Sequence, residues 1–220
     1  MMKREVTFGG GLLAQVTFVA LATGVYGAVL AAWRSPRMAA YVAVKLPTVF
    51  VGTTFMVSVF CWMSGLAAGA ELRYREVLDA VFAAMSVAGA ILLALAPVVL
   101  FFILSGAPDA GGRDALRFTH ACLMLVHIAV LSGAGVAGNI ALVRSLRLRV
   151  PPRCRLTLML VLWLLAFALV GCQFGWMMRP IVGSPNIVVE FLRADALDSN
   201  FLESLFGQII PHFINKGAIR

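Results

Sequence analysis

Two histidines, His120 and His127, stand seven residues apart. Seven residues make about two helical turns, so on a helix both imidazoles would share one face, roughly 10 Å apart. That is too far for one metal ion to take both without further ligands. The functional reading is a metal, haem or proton-relay role. The bland one makes His120 an interfacial side chain at the end of an apolar segment. Lys45, two residues before Pro47, reads as a lysine at the head of a helix, its ammonium reaching back to the membrane surface; contact with a substrate or lipid headgroup is the rival. Asn139 and Gln173 are amides within apolar stretches, suited to hydrogen bonding between helices or to lining a pore. Together with Lys45 and His127 they form a possible polar pathway. In the stretch ELRYREVLD, residues 71–79, Glu71 with Arg75 and Arg75 with Asp79 have the i,i+4 spacing of helical ion pairs. Glu76 and Asp79, one turn apart, could share a cation, but a solvated, self-paired face is the simpler reading.

Other chemistry is missing from the sequence. Cys61, Cys122, Cys154 and Cys172 form no C-x-x-C pair and define no disulfide framework or zinc site. There is no Gly-rich phosphate loop, no H-E-x-x-H and no paired membrane carboxylates. The expectation is a protein that is not an enzyme. No catalytic, cofactor-binding or metal-binding residue is assigned, and the sequence does not identify a cofactor.

The elements that must position these side chains are membrane spans. Hydrophobic residues make up 61% of the 220 and charged residues 13%, with a mean hydropathy of +0.95. Soluble domains carry about 25% charged residues; here lipid must solvate the excess apolar surface. The net charge of +8 does not point to nucleic acid, because the basic residues lie in short runs between apolar stretches, as in loops facing anionic lipid. A crossing helix needs about 20 apolar residues. Five stretches qualify: 11–33, 44–66, 77–104 (with Pro97 as the expected kink), 119–143 and 156–178. The first is too long for a signal h-region, roughly 7–15 residues, and reads as a retained span after Lys3 and Arg4. Connectors 34–41, 67–76, 105–118 and 144–155 are short. Small residues on the first span (Ala20, Gly24, Gly27, Ala31) and the fourth (Ser132, Gly133, Ala134, Gly135, Ala137, Gly138) predict packing faces, with a hinge at the second cluster as the alternative.

Arginine and lysine counts flanking the spans tie at nine against nine. Connector 144–155 holds five arginines and no acid, which makes it the hardest to translocate. Placing it inside puts the N-terminus in the cytoplasm and the C-terminus outside.

The transmembrane domain thus covers residues 1–180 and an extramembrane tail 181–220. From Asn200 the apolar residues Phe201, Leu202, Leu205, Phe206, Ile209, Ile210, Phe213 and Ile214 recur in pairs every four positions. They predict an amphipathic interfacial helix over about 200–214, with Asn200 and Glu203 as a capping box and Pro211 near its end. Before it, Trp176 and Arg179 mark a membrane interface, Pro180 ends the fifth helix, and Gly183, Ser184, Pro185 and Asn186 have turn chemistry. This run predicts a fixed structure at the membrane surface, serving a partner or a ligand.

Lys45-Leu-Pro47, a charged connector, Glu76-Val-Leu and Ala96-Pro97 together resemble bacterial Yip1-like proteins. The motif Trp176-x-x-Arg179-Pro-x-x-Gly183-Ser-Pro-Asn186 is similar to one in uncharacterised bacterial multispan proteins related to that group. The resemblance implies five spans and an adaptor-like role, and brings no catalytic residues. The expected fold is an all-α polytopic transmembrane bundle of a bacterial inner (plasma) membrane. The expected function is a non-enzymatic membrane subunit or scaffold acting through helix–helix and tail contacts. The alternative is a small transporter or channel component with a pore near Asn139, Gln173 and His127. Expected partners are membrane lipids and other membrane subunits or further copies of the chain, not nucleic acid.

Overall fold

Every predicted span is helical in the structure, a computed structural model that describes residues 11–105, 113–183, 189–192, 196, 198 and 200–204, with 113–117 and 204 described by backbone alone. In chain order the helices are α1 (Leu12–Ala31), α2 (Pro36–Ala67), α3 (Tyr74–Ser105), α4 (Arg113–Arg147), α5 (Leu156–Met177) and the short α6 (Phe201–Ser204). No strand occurs among the described residues. Helices α1 to α5 are each long and apolar enough to cross a membrane, so the protein is an all-α, multi-pass membrane bundle. The expected helix over 200–214 is described only as far as Ser204; Leu205 and Phe206 lie outside the described residues, as do Ser184, Pro185 and Asn186.

The span boundary that moves most is the start of α2. Residues 36–41, read above as connector, are its first turns. Ser35 is the N-cap, its Oγ accepting the Met38 N–H at 3.1 Å, and Pro36 follows in the first turn. Hydropathy does not register a capping hydroxyl and an N-terminal proline, so it places the start eight residues late. Pro47 therefore sits inside α2, not in its first turn. Lacking an N–H, it leaves the Ala43 carbonyl without its i+4 donor. Gly24 of α1 lies against that carbonyl: a Cβ there would stand 3.1 Å from Ala43 O and 3.4 Å from Pro47 Cγ. At Gly27 a Cβ would come within 2.8 Å of Val42 O. The two glycines let α1 ride directly on the α2 backbone, the close approach that substitutes for hydrophobic association in lipid.

Short loops make successive helices antiparallel. One end of the bundle, called proximal, carries the start of α1 and the loops 68–73 and 148–155. The distal end carries the 32–35 corner and the end of α5. α1 packs on α2 and α3, α4 flanks α3, and α5 flanks α2. Tyr26, Leu30, Val42, Leu46, Leu92 and Val99 belong to a distal core; Val57, Cys61, Val81, Leu146, Met159 and Trp163 belong to a proximal one. Four buried hydroxyls are satisfied within their own helices, whereas the buried Thr53 Oγ1 has no hydrogen-bond partner among the described residues. Thr23 donates to Val19 O, Thr54 to Phe50 O, Ser58 to Phe55 O and Ser86 to Phe82 O.

The glycine cluster of α4 divides by face. Ala134 is buried and Gly138 packs on α3, a Cβ there meeting Ala84 O at 3.0 Å, while Gly133 and Gly135 have open space around them. The helix runs unbroken through all of them.

At the proximal end the 71–79 reading is corrected. Helix α3 begins at Tyr74, so Glu71, at φ +53°, lies in the preceding loop and cannot pair with Arg75 at helical spacing. It pairs instead with Arg153 of the α4–α5 loop. Glu76 accepts the Arg73 backbone N–H at 2.7 Å, half of a capping box. No ion pair joins Arg75 to Asp79 among the described residues.

Candidate functional site at the distal end

Tyr26 and Trp33 of the first helix and its C-terminal turn are seven residues apart, like His120 and His127 of α4. Running antiparallel, the two sets meet as rungs. Tyr26 stacks on His127 with centroids 5.8 Å apart, and Trp33 lies against His120, also at 5.8 Å. The Tyr26 hydroxyl and His127 Nδ1 are 3.1 Å apart, and both residues are buried. His120 is not merely interfacial: its ring is partly covered, and its Nδ1 is buried without a hydrogen-bond partner. The rungs tie α1 to α4 over a gap that short side chains would leave open. The matching seven-residue spacing in α1 is the signal the sequence carries for this pairing, and it is hidden because aromatic residues in a span read as generic apolar surface.

The second component is the chain beyond α5. After Met178 it turns back across the α1–α2 corner. Trp33 Nε1 donates to Val182 O at 2.8 Å, and Lys45 Nζ donates to Pro180 O at 3.1 Å. Gly183, at φ +79°, fits against Arg34 and Met38, with a Cβ there 3.4 Å from Arg34 Cγ and 3.6 Å from Met38 Cε. Phe191 meets Tyr41 edge to face at 5.4 Å and covers the Lys45 ammonium, also at 5.4 Å. Lys45 is fully buried. The expectation that it reaches back to the surface from a helix start is therefore corrected: α2 begins nine residues earlier, and the returning strap caps the lysine in place.

Gln173 and Trp176 form the third component. Arg179 stacks on the Trp176 ring, its Cζ 3.1 Å from the centroid, while its Nε donates to Trp176 O at 2.8 Å. Phe201, the first residue of α6, meets the Trp176 ring edge to face with centroids 6.1 Å apart and donates its N–H to Gln173 Oε1 at 2.9 Å. Asn200 Oδ1 accepts the Glu203 N–H at 2.8 Å, while its amide nitrogen faces Glu203 Oε2 at 3.5 Å. The tail helix thus starts as its capping residues predict, and one turn of α5 holds that start.

Trp176, Arg179, Pro180, Gly183 and Phe201 are therefore brought into one distal platform. The proposed polar pathway is not assembled. Lys45 is taken by Pro180 O, His127 by Tyr26 and Gln173 by the Phe201 N–H. Asn139 is exposed and donates to Gly135 O of its own helix at 2.8 Å. Twelve residues along α4 also separate Asn139 from His127, roughly 18 Å. No group of three or more His, Cys, Asp or Glu gathers among the described residues.

Replacing Lys45 by Met keeps the buried stem while removing the charged donor. Hydrogen bonds from charged groups contribute about 1.5–3 kcal/mol, so amide exchange over 179–183 and 189–192 should accelerate about tenfold or more in K45M. Unchanged exchange there would show that the strap holds without the lysine. Comparison with family models, curated proteins and solved structures finds no match to this chain.

Proposed function

We propose that this multi-pass protein is a non-enzymatic membrane subunit that scaffolds a larger assembly. The observation that carries the reading is the use made of its intramembrane and interfacial polar groups. Lys45, Trp33 and Gln173 each bind backbone of the segment after α5, and so hold a strap and a helix start in one orientation at the membrane surface. Residues positioned in that way serve presentation to a partner, whereas a transport pathway needs polar groups left facing a shared passage. The relationship to Yip1-like proteins, and a bacterial plasma membrane with the N-terminus cytoplasmic, belong to the same proposal.

The test is gentle detergent extraction of the native protein, with sizing of the wild type beside a Gln173→Ala, Phe201→Ala double variant. A stoichiometric assembly is expected for the wild type. The variant should dissociate from it while keeping its own melting transition within a few degrees, because only the seating of α6 is lost. A small homo-oligomer that conducts solutes in liposomes would overturn the scaffold reading in favour of a transporter or channel component.

A further inference from the structure

The proximal end carries a charge arrangement that the scaffold reading does not use. Loop 148–155 is docked on loop 68–73 through the Arg155 N–H to Ala68 O at 3.0 Å and the Arg153–Glu71 ion pair. Gly69, at φ +83°, brings its backbone against Cys154, 3.9 Å from where a Cβ would stand. Among the described residues, the docking places Arg73, Arg75, Arg144, Arg147, Arg149, Arg153 and Arg155 at one end with only Glu71, Glu76 and Asp79, a balance of seven cations to three anions. All seven arginines are exposed.

The carboxylates are already committed. Glu71 is paired with Arg153 and Glu76 caps α3. Arg144, Arg147, Arg149 and Arg155 have neither a hydrogen bond from their side chains nor an ion pair among the described residues. Their depth relative to lipid is marked independently. Trp62 and Tyr74 lie at the same end, edge to face at 5.9 Å, with Trp62 Nε1 donating to Leu72 O and Tyr74 bonded to Ser58, as aromatic residues do at headgroup level. Beside the arginines, Leu148 is 70% exposed, and one turn from Arg144 further into the membrane Ile140 is 46% exposed. Guanidinium groups above and bare aliphatic surface below match a molecule with a phosphate above and acyl chains below.

We propose that this collar, built on Arg144, Arg147, Arg149 and Arg155, binds the phosphodiester headgroups of anionic phospholipids. Its planar guanidinium groups suit bidentate phosphate contact; Arg144 and Arg147 are carried by the end of α4, and Arg149 and Arg155 by the loop docked on 68–73. A helix C-terminus also favours arginine by its dipole, but that accounts for Arg144 and Arg147 in the last turn of α4 and not for Arg149 or Arg155 beyond it.

The experiment titrates the purified full chain in neutral detergent with dioleoyl phosphatidylglycerol or dioleoyl phosphatidylcholine and counts retained lipids by native mass spectrometry. At about 1 kcal/mol per basic residue near an anionic surface, phosphatidylglycerol should bind at least about tenfold more tightly. Arg144→Gln with Arg147→Gln, and separately Arg149→Gln with Arg155→Gln, should each remove most of that preference. Their melting in phosphatidylcholine-containing detergent micelles should not change, since these side chains make no hydrogen bond or ion pair among the described residues. Arg37→Gln at the distal end should retain the full preference. Equal binding of the two lipids, a preference that survives both pairs of substitutions, or equal competition by free glycerol 3-phosphate would overturn the proposal.

Discussion

Gly27→Val is expected to keep α1 from seating on α2 and to lower stability by about 3 kcal/mol, the upper part of the range for overpacked interiors. A Cβ at Gly27 would lie 2.8 Å from the Val42 carbonyl and 3.2 Å from both Leu46 Cβ and Val42 Cγ1. The first obstacle is helical backbone, which cannot rotate away as a side-chain tip does. The helix would have to withdraw along its whole length, separating Gly24 from Ala43 and loosening the Tyr26–His127 rung. Gly133→Ala is the internal control. Nothing lies within 4 Å of a Cβ there, and alanine is favoured over glycine in a helix by about 1 kcal/mol, so G133A should be neutral or slightly stabilising. Denaturant titration in mixed micelles, read by helix-sensitive circular dichroism or steric trapping, checks both. Equal effects of the two substitutions would refute the close approach of α1 and α2.

Trp163→Ala should release α5 from the bundle. Of the 22 residues of α5 only Met159 and Trp163 are buried, so the helix depends on few contacts. The indole is 1% exposed, its Nε1 donates to Ser64 Oγ at 3.1 Å, and its ring packs at Gly65. Truncating a buried tryptophan costs about 3–5 kcal/mol in water-soluble cores. In lipid the transfer part of that cost shrinks, leaving mainly lost packing and the hydrogen bond, so about 3 kcal/mol is expected here. The effect should also travel. Because α5 carries the strap and the α6 seat, W163A should expose 178–183 to protease before the α1–α2–α3 core opens, while Trp163→Phe should keep the strap and lose about 1 kcal/mol. Simultaneous cleavage throughout the chain would contradict an independently attached α5.

Helix number, the apolar character of each helix and the turn at Gly183 were legible because they are local. About 20 consecutive apolar residues can only span, and Pro180 with Gly183 can only interrupt a helix. The small-residue face of α1 was legible for the same reason: Gly24 and Gly27 repeat at helical spacing. The start of α2 was less so, since a Ser35–Pro36 cap is a hydrogen-bonding signal that hydropathy averages away. Asn200 and Glu203 announced their helix because capping pairs lie three residues apart in sequence.

Partner choice was not legible. Lys45 had the same local context whether it reached water or was sealed under Phe191. What decided it was a strap arriving from 135 residues further along the chain to offer Pro180 O. Glu71 had Arg75 at helical spacing, yet its φ of +53° left it outside the helix and within reach of Arg153. Gln173 and Asn139 looked alike as amides in apolar spans. One met the N–H of a docked helix and the other stayed on its own backbone. On its own, the sequence determined five stretches that form helices long and apolar enough to cross a membrane, because a backbone in lipid has to satisfy itself. The tertiary structure alone decided which carbonyl, ring or carboxylate each polar side chain would meet, because those partners come from distant segments whose approach is set by glycine contacts and loop docking.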